Sequence, residues 1–271
     1  MLKLSCLSLS YKRAFAAGTM DLFGFIERCR ELDVDGIDIH SRDLASQEFE
    51  YIREVKQRCL RAGLPIACLG VSNNFALPSD EVSAQVEAAK QRIRQARVLG
   101  APQVRVFAGT PQGSDAEQAG AWDRCAAALK EVADFGWEEG VQVSLQNHNH
   151  RNLTADGASV LKFVEQAGPH LSHVWDTGQY VGSPGASGAE SEVASEAVYE
   201  SLQQTVHLAT HVRTKIYRME TGEERWLDYP RIFGILQQAN YNGFCSLVYE
   251  GQEDEEPAIA RAVPFLRRFI P

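Results

Sequence analysis

Apolar and polar residues alternate along "KLSCLSLS", residues 3–10, the period-two signature of a strand with one buried face. The period then changes: Leu22, Phe25, Ile26 and Cys29 recur at three- and four-residue intervals, as on one face of a helix. "DGIDIH" predicts a second strand, and the stripe Ile52, Val55, Cys59 a helix that stops at Gly63. "PIACLGVS" follows as a third strand. Val82, Val86, Ala89, Ile93 and Ala96 form the next stripe, closed by Gly100 and followed by "QVRVFAG". Another helical stretch ends near Gly140 before "VQVSLQ". The segments "LSHVWD", "LATHVRTK" and "FCSLVYE" complete the series, with helical patterns between them.

Eight strands in 271 residues leave about 34 residues per unit, the scale of a βα repeat. The pattern predicts an α/β protein, a single (β/α)8 TIM barrel, with residues 1–271 as one domain. A doubly wound sheet fits less well, because no GxGxxG or GxxxxGK[ST] follows any strand. One low-complexity piece, "GSPGASGAESEVASEA" (Gly182–Ala197), follows the sixth strand. Its small residues predict a loop that orders over a ligand, above all Gly182–Gly188.

Composition changes this picture only at the margins. The chain is 44% hydrophobic and 23% charged, ordinary for a globular protein. A net charge of −9 disfavours nucleic acid as a partner, since phosphates need a basic surface. The six cysteines are scattered without a CxxC pair and read as buried thiols in a reducing compartment. No apolar run reaches membrane-spanning length, and the first residues lack a signal-peptide core. The expectation is a cytoplasmic protein with no membrane partner.

In such barrels the chemistry sits at the carboxyl ends of the strands. Those ends carry Gln146, His148 and His150 after strand five, and Asp176 and Gln179 after strand six. Strand seven adds His211, Arg213 and Lys215, and strand eight adds Glu250. Gln146, Asp176, His211 and Glu250 lie 30, 35 and 39 residues apart, one βα unit each. Alternation puts His207, Ala209, His211, Arg213 and Lys215 on one face, and Phe244, Ser246, Val248 and Glu250 on another.

Each residue also has a plainer reading. The run "NHNH" suits a polar loop, Asp176 a turn or helix cap, and His211 a satisfied core histidine. Arg213 and Lys215 suit solvated charges beyond the rim, and Glu250 belongs to the acidic run "EGQEDEE". Their joint placement at one mouth is what favours a site.

The segments "LDVDGIDIH", "ARVLGAPQVRVFAG", "EEGVQVSLQNHNH", "HVWDTGQY", "HVRTK" and "GEERWLDYPRIFGILQQANYNGFCSLVYEG" occur in this order over nearly the whole chain. Together they resemble the xylose-isomerase-like TIM-barrel superfamily of sugar isomerases and epimerases. The resemblance implies one divalent ion (Mn, Mg, Co or Zn) held by a Glu, an Asp, a His and a Glu at the ends of strands five to eight. Asp176 and His211 take two of these roles. Gln146 stands at the first Glu position, and Val248, five residues after Gly243, at the last. Glu250 is two residues further on and is the substitute ligand.

Those two glutamates typically also move protons, which neither an amide nor valine can do. The metal site is therefore expected to be weak or lost. The resemblance implies a sugar or polyol isomerase or epimerase with an altered site, acting on a small-molecule carbohydrate that is free or phosphorylated. Glu250, His148 and Lys215 are its catalytic candidates. Gln146, Gln179, Arg213 and His150 are the substrate-binding ones, and Asp176, His211, Gln146 and Glu250 the metal ligands. The alternatives are a non-catalytic carbohydrate-binding or regulatory barrel, a sugar dehydratase or lyase, and a DNA-repair endonuclease. The acidic balance and only seven histidines disfavour the last. A homodimer is expected by analogy.

Overall fold

The computed structural model of the protein describes residues 1–112, 118–184 and 193–270. Four strands come from the first half: β1 (Lys3–Leu7), β2 (Gly36–His40), β3 (Ile66–Gly70) and β4 (Gln103–Val106). Four follow: β5 (Gln142–Gln146), β6 (Leu171–Asp176), β7 (Ala209–Ile216) and β8 (Phe244–Tyr249). All are parallel and close in chain order into one barrel, with β8 pairing back onto β1. The early helices are α1 (Lys12–Ala16), α2 (Leu22–Glu31), α3 (Phe49–Ala62), α4 (Ser79–Leu99) and α5 (Ala121–Glu139). The later ones are α6 (Gly157–Ala167), α7 (Glu196–Thr205), α8 (Tyr229–Gln238) and α9 (Glu255–Arg267). None of the described helices is long and apolar enough to cross a membrane.

The expected stripes are the buried faces of these helices. Leu22, Phe25, Ile26 and Cys29 of α2 are buried, and Asp21 caps the helix by accepting from the Gly24 amide at 2.8 Å. Helices α3 and α4 end at Gly63 and Gly100, both in the left-handed conformation that glycine adopts without strain. Outward-facing strand residues such as Ile39, Val106, Leu145, Trp175 and Val212 are fully buried beneath the helices. The inward face is different, because polar side chains fill much of it in layers. Gln103, Ser144, Ser172 and Thr210 form a hydrogen-bonded ring near the amino-terminal end. Above them lie Ser5, Asp38 and His211: Ser5 bonds Asp38 on the neighbouring strand at 3.1 Å, and His211 meets Asp38 across the barrel at 2.6 Å.

Two local expectations are corrected. Ser8–Tyr11 do not extend β1 but form a tight turn, because their hydroxyls cap neighbouring strands. Ser8 Oγ accepts from the His40 amide at 2.9 Å, and Ser10 Oγ accepts from the Tyr249 amide at 3.1 Å. In β7 the pairing jumps from His173–Ala209 to Val174–His211, so Thr210 is an extra residue. The alternation drawn from His207 through Lys215 therefore breaks below His211. His207 sits in a turn before the strand, and Thr210 rather than Ala209 joins the inner polar ring. Most of the loop expected to close over ligand, residues 185–188 of Gly182–Gly188, lies outside the described residues.

Candidate active site

The carboxyl end of the barrel holds a connected group of charged and polar side chains. Gln146 ends β5 and Asp176 ends β6, and Gln146 Nε2 donates to Asp176 Oδ2 at 2.8 Å. Arg213 Nη1 donates to Gln146 Oε1 at 2.7 Å. Lys215 Nζ lies 2.6 Å from Glu250 Oε2 and 3.5 Å from Asp176 Oδ2. Gln179 Nε2 reaches Glu250 Oε2 at 3.4 Å. Arg213 and Lys215 are each only 2% exposed, so they are not solvated charges at the rim.

The local sequence explains why these groups stay in place. Asn147 pairs twice with the Asp176 backbone, donating to its carbonyl and accepting from its amide, both at 2.9 Å. This side chain imitates a strand and continues the β5–β6 ladder past its end. The Lys215 backbone is fixed by Thr177 Oγ1 at 3.0 Å and by Tyr229 Oη at 2.7 Å. Gly178 lies against the Lys215 stem, where a Cβ would come within 2.6 Å of Lys215 Cγ. Asp176 also has the turn role, since Oδ1 accepts from the Gly178 amide at 3.0 Å.

Electrostatics follow from this packing. Burial pushes the Glu250 carboxyl upward, but the Lys215 charge and hydrogen bond outweigh it and hold the group down to about 2. Burial raises Asp176 despite Lys215 and Arg213 beside it. Burial, then His150 and Lys215, lowers the His148 imidazole to about 3, so it is neutral near pH 7. Its Nδ1 has no hydrogen-bond partner among the described residues, and its ring meets Phe107 edge-on at 5.0 Å and His150 at 4.9 Å.

Several groups here were not singled out in the sequence. Asp38 and His40 stand on alternate positions of β2, and Arg105 stands inside β4. Arg105 is 1% exposed, donates to the Val71 carbonyl at 2.6 Å and lies 3.9 Å above the Phe107 ring. Their signal was present: a charge inside a buried strand must meet something polar within the barrel.

The residues do not fit a divalent ion at this mouth. His211 does not join Gln146, Asp176 and Glu250, because its Nε2 bonds Asp38 Oδ2 at 2.6 Å one layer deeper. The register places Arg213, not His211, beside Asp176. The Gln146 carbonyl oxygen is occupied by Arg213, and Val248 is fully buried beside Lys215. Three cations, Arg105, Arg213 and Lys215, thus face two carboxylates where an ion needs an excess of anionic oxygen. Among the described residues one other group has metal-ligating types: the ligand atoms of Asp38, Cys68 and His211 lie within 4.8 Å of one another, all buried. Burial and Asp38 push the Cys68 thiol up to about 12, so it is protonated near pH 7.

Comparison with known proteins agrees with the fold. A family model described as xylose isomerase-like TIM barrel matches residues 26–269. No curated protein matches the chain in sequence. Among solved structures, D-psicose 3-epimerase with D-tagatose, from Clostridium cellulolyticum H10, superposes with a TM-score of 0.77 at 16% identity. That match covers 99% of each chain. The 3-keto-D-glucoside 4-epimerase of E. coli gives 0.74 at 17% identity, over 99% of this chain and 100% of that one. An L-ribulose 3-epimerase gives 0.69 at 20% identity, over 100% and 93%. At these identities the likeness is one of fold.

Proposed function

The chain belongs to the xylose isomerase-like TIM-barrel family, and from that premise we propose that it is a carbohydrate isomerase or epimerase working with its own cations. The observation that carries this reading is Lys215, whose ammonium spans Asp176 and Glu250 while Arg213 holds Gln146. Isomerases and epimerases of sugars remove a proton from a carbon beside a carbonyl. The C–H electron pair passes into the carbonyl, whose oxygen becomes an enediolate anion. A proton then returns to the other face of that carbon, or to its neighbour. Lys215 and Arg213 supply fixed positive charge where that oxygen anion forms. His148, neutral and with Nδ1 unpartnered, accepts the proton, and Glu250 with Lys215 serves the opposite side. Gln146, Gln179 and His150 orient hydroxyls. Structural relatives named as sugar epimerases support the carbohydrate class.

The test is solvent exchange. The protein, stripped with a chelator, is incubated in D2O with ketohexoses, ketohexose phosphates and keto sugar acids, and deuterium beside the carbonyl is followed by NMR. Exchange is expected to survive chelation and to fall by about 100-fold or more in Lys215→Met. A second reading, a carbohydrate-binding barrel without chemistry, is favoured by the low Glu250 carboxyl and the low His148 imidazole, since groups held at about 2 and about 3 are weak bases. Absence of exchange with every compound, alongside binding of one of them, selects that reading.

A further inference from the structure

Arg105 and Arg213 stand side by side at 1% and 2% exposure, and among the described residues neither contacts a carboxylate. Their forks converge over Gly70. A Cβ there would lie 3.0 Å from Arg105 Nη2 and 3.3 Å from Arg213 Nη2, so glycine leaves room for something else. The Arg105 Nε, and the Arg213 Nε and Nη2, are buried without a hydrogen-bond partner among the described residues. Among the described residues only neutral acceptors hold these side chains, the Val71 carbonyl and the Gln146 amide oxygen. Two adjacent guanidinium ions withdrawn from water and unpaired are costly, and guanidinium stays charged. Such an arrangement is complete only when an anion sits between them.

We propose that the Arg105–Arg213 pair is a seat for the carboxylate of a sugar acid, so that the substrate of this barrel is an acidic rather than a neutral carbohydrate. The proposal rests on the carbohydrate reading above and narrows it. Charge balance favours a carboxylate over a phosphate. Lys215 is already matched by Asp176 and Glu250, and Asp38 is held by His211, so the guanidinium pair is left without an anion of its own and a single added charge disturbs the balance least. A carboxylate brings one negative charge, whereas a phosphate monoester brings about 1.5 to 2. The planar carboxylate also suits two forks, each donating to one oxygen. His40 adds a neutral donor: its Nδ1 accepts from the Arg42 amide at 3.3 Å, which leaves the proton on Nε2. The anion sits beside Gln146, and the neighbouring carbons then extend toward Asp176 and Lys215.

Titration calorimetry on the whole protein decides this, with D-gluconate, D-fructose and inorganic phosphate as probes. Gluconate is expected to bind at least tenfold more tightly than either other compound. Arg105→Gln and Arg213→Gln should each weaken gluconate by about 30-fold or more. Gly70→Ala, which keeps both charges but fills the seat, should weaken it as well. Fructose or phosphate binding as tightly as gluconate overturns the proposal, and so does gluconate affinity unchanged in a folded Arg213→Gln. The two ideas fail separately. Arginine-dependent gluconate binding without solvent exchange sinks the catalytic reading alone, and exchange on neutral ketoses bound as well as gluconate sinks the anion seat alone.

Discussion

Glu250 and Asp176 share one ammonium, yet their acidities move in opposite directions. Glu250 is held at about 2, below its ordinary 4.5, by Lys215 against the opposing effect of burial. A depressed carboxyl contributes stability above its unfolded pKa and loses it as pH falls toward 2. Asp176, raised by burial, does the reverse and recovers stability on protonation. Lys215→Met removes the cation from both. It should destabilise the fold by about 3–5 kcal/mol at pH 7, as breaking a buried pair does. Between pH 5 and 2 the variant should lose less stability than the wild type. Urea unfolding of both proteins across this range measures it, and parallel curves would contradict the pairing. Sequence placed Lys215 and Glu250 at one mouth as catalytic candidates but did not show that they form an ion pair with Asp176 beside them. Side-chain reach across two strand ends has no signature in a one-dimensional pattern.

Elements carry the next level. Strand order and helix faces were legible because burial on the outer barrel face leaves period-two and period-3.6 stripes. The bulge at Thr210 was not, since one inserted residue leaves a valid alternation on either side of it. It matters for the site because the alternation fixes which β7 residue stands beside Asp176. The register makes that residue Arg213 and leaves His211 with Asp38. The β6–β7 packing offers a direct probe. A Cβ on Gly178 would approach Tyr217 Oη to 2.5 Å and Lys215 Cγ to 2.6 Å. Gly178→Ala should therefore cost about 1–3 kcal/mol in chemical unfolding, as overpacking does. It should also displace Lys215, so solvent exchange should fall more than stability explains. A variant with full exchange activity would show that the Lys215 stem does not need this close packing.

At the scale of the whole molecule, buried neutral histidines set the acid limit. Burial lowers His40 to about 2, His148 to about 3 and His173 to about 4. Each stays neutral when folded and charges when unfolded below about pH 6.5. Stability should therefore begin to fall near pH 6.5, well above the carboxylate range. Near pH 5 the slope should approach 4 kcal/mol per pH unit if all three take up protons. Urea midpoints between pH 7 and 5 check this, and a flat profile would refute the shifts.

The charge of the mouth leads to the last prediction, on metal. The family resemblance sets Gln146 and Val248 at positions where glutamates are expected, and the structure puts Arg213 and Lys215 beside them. Restoring both as Gln146→Glu and Val248→Glu adds anionic oxygen, yet Lys215 and Arg213 remain within the same group. Their charge opposes a dication at close range, where buried pairs are poorly screened. The wild type and this double variant should both melt at unchanged temperature with excess Mn²⁺ or with a chelator. Only further neutralisation, with Arg213→Met and Lys215→Met, should create a response. A site filled to 100 times its dissociation constant stabilises by about 2.7 kcal/mol. For a chain of this size that is roughly 5–10 °C. A wild type that melts higher with Mn²⁺, or that purifies with a stoichiometric ion, would mean that the internal cations do not stand in for metal.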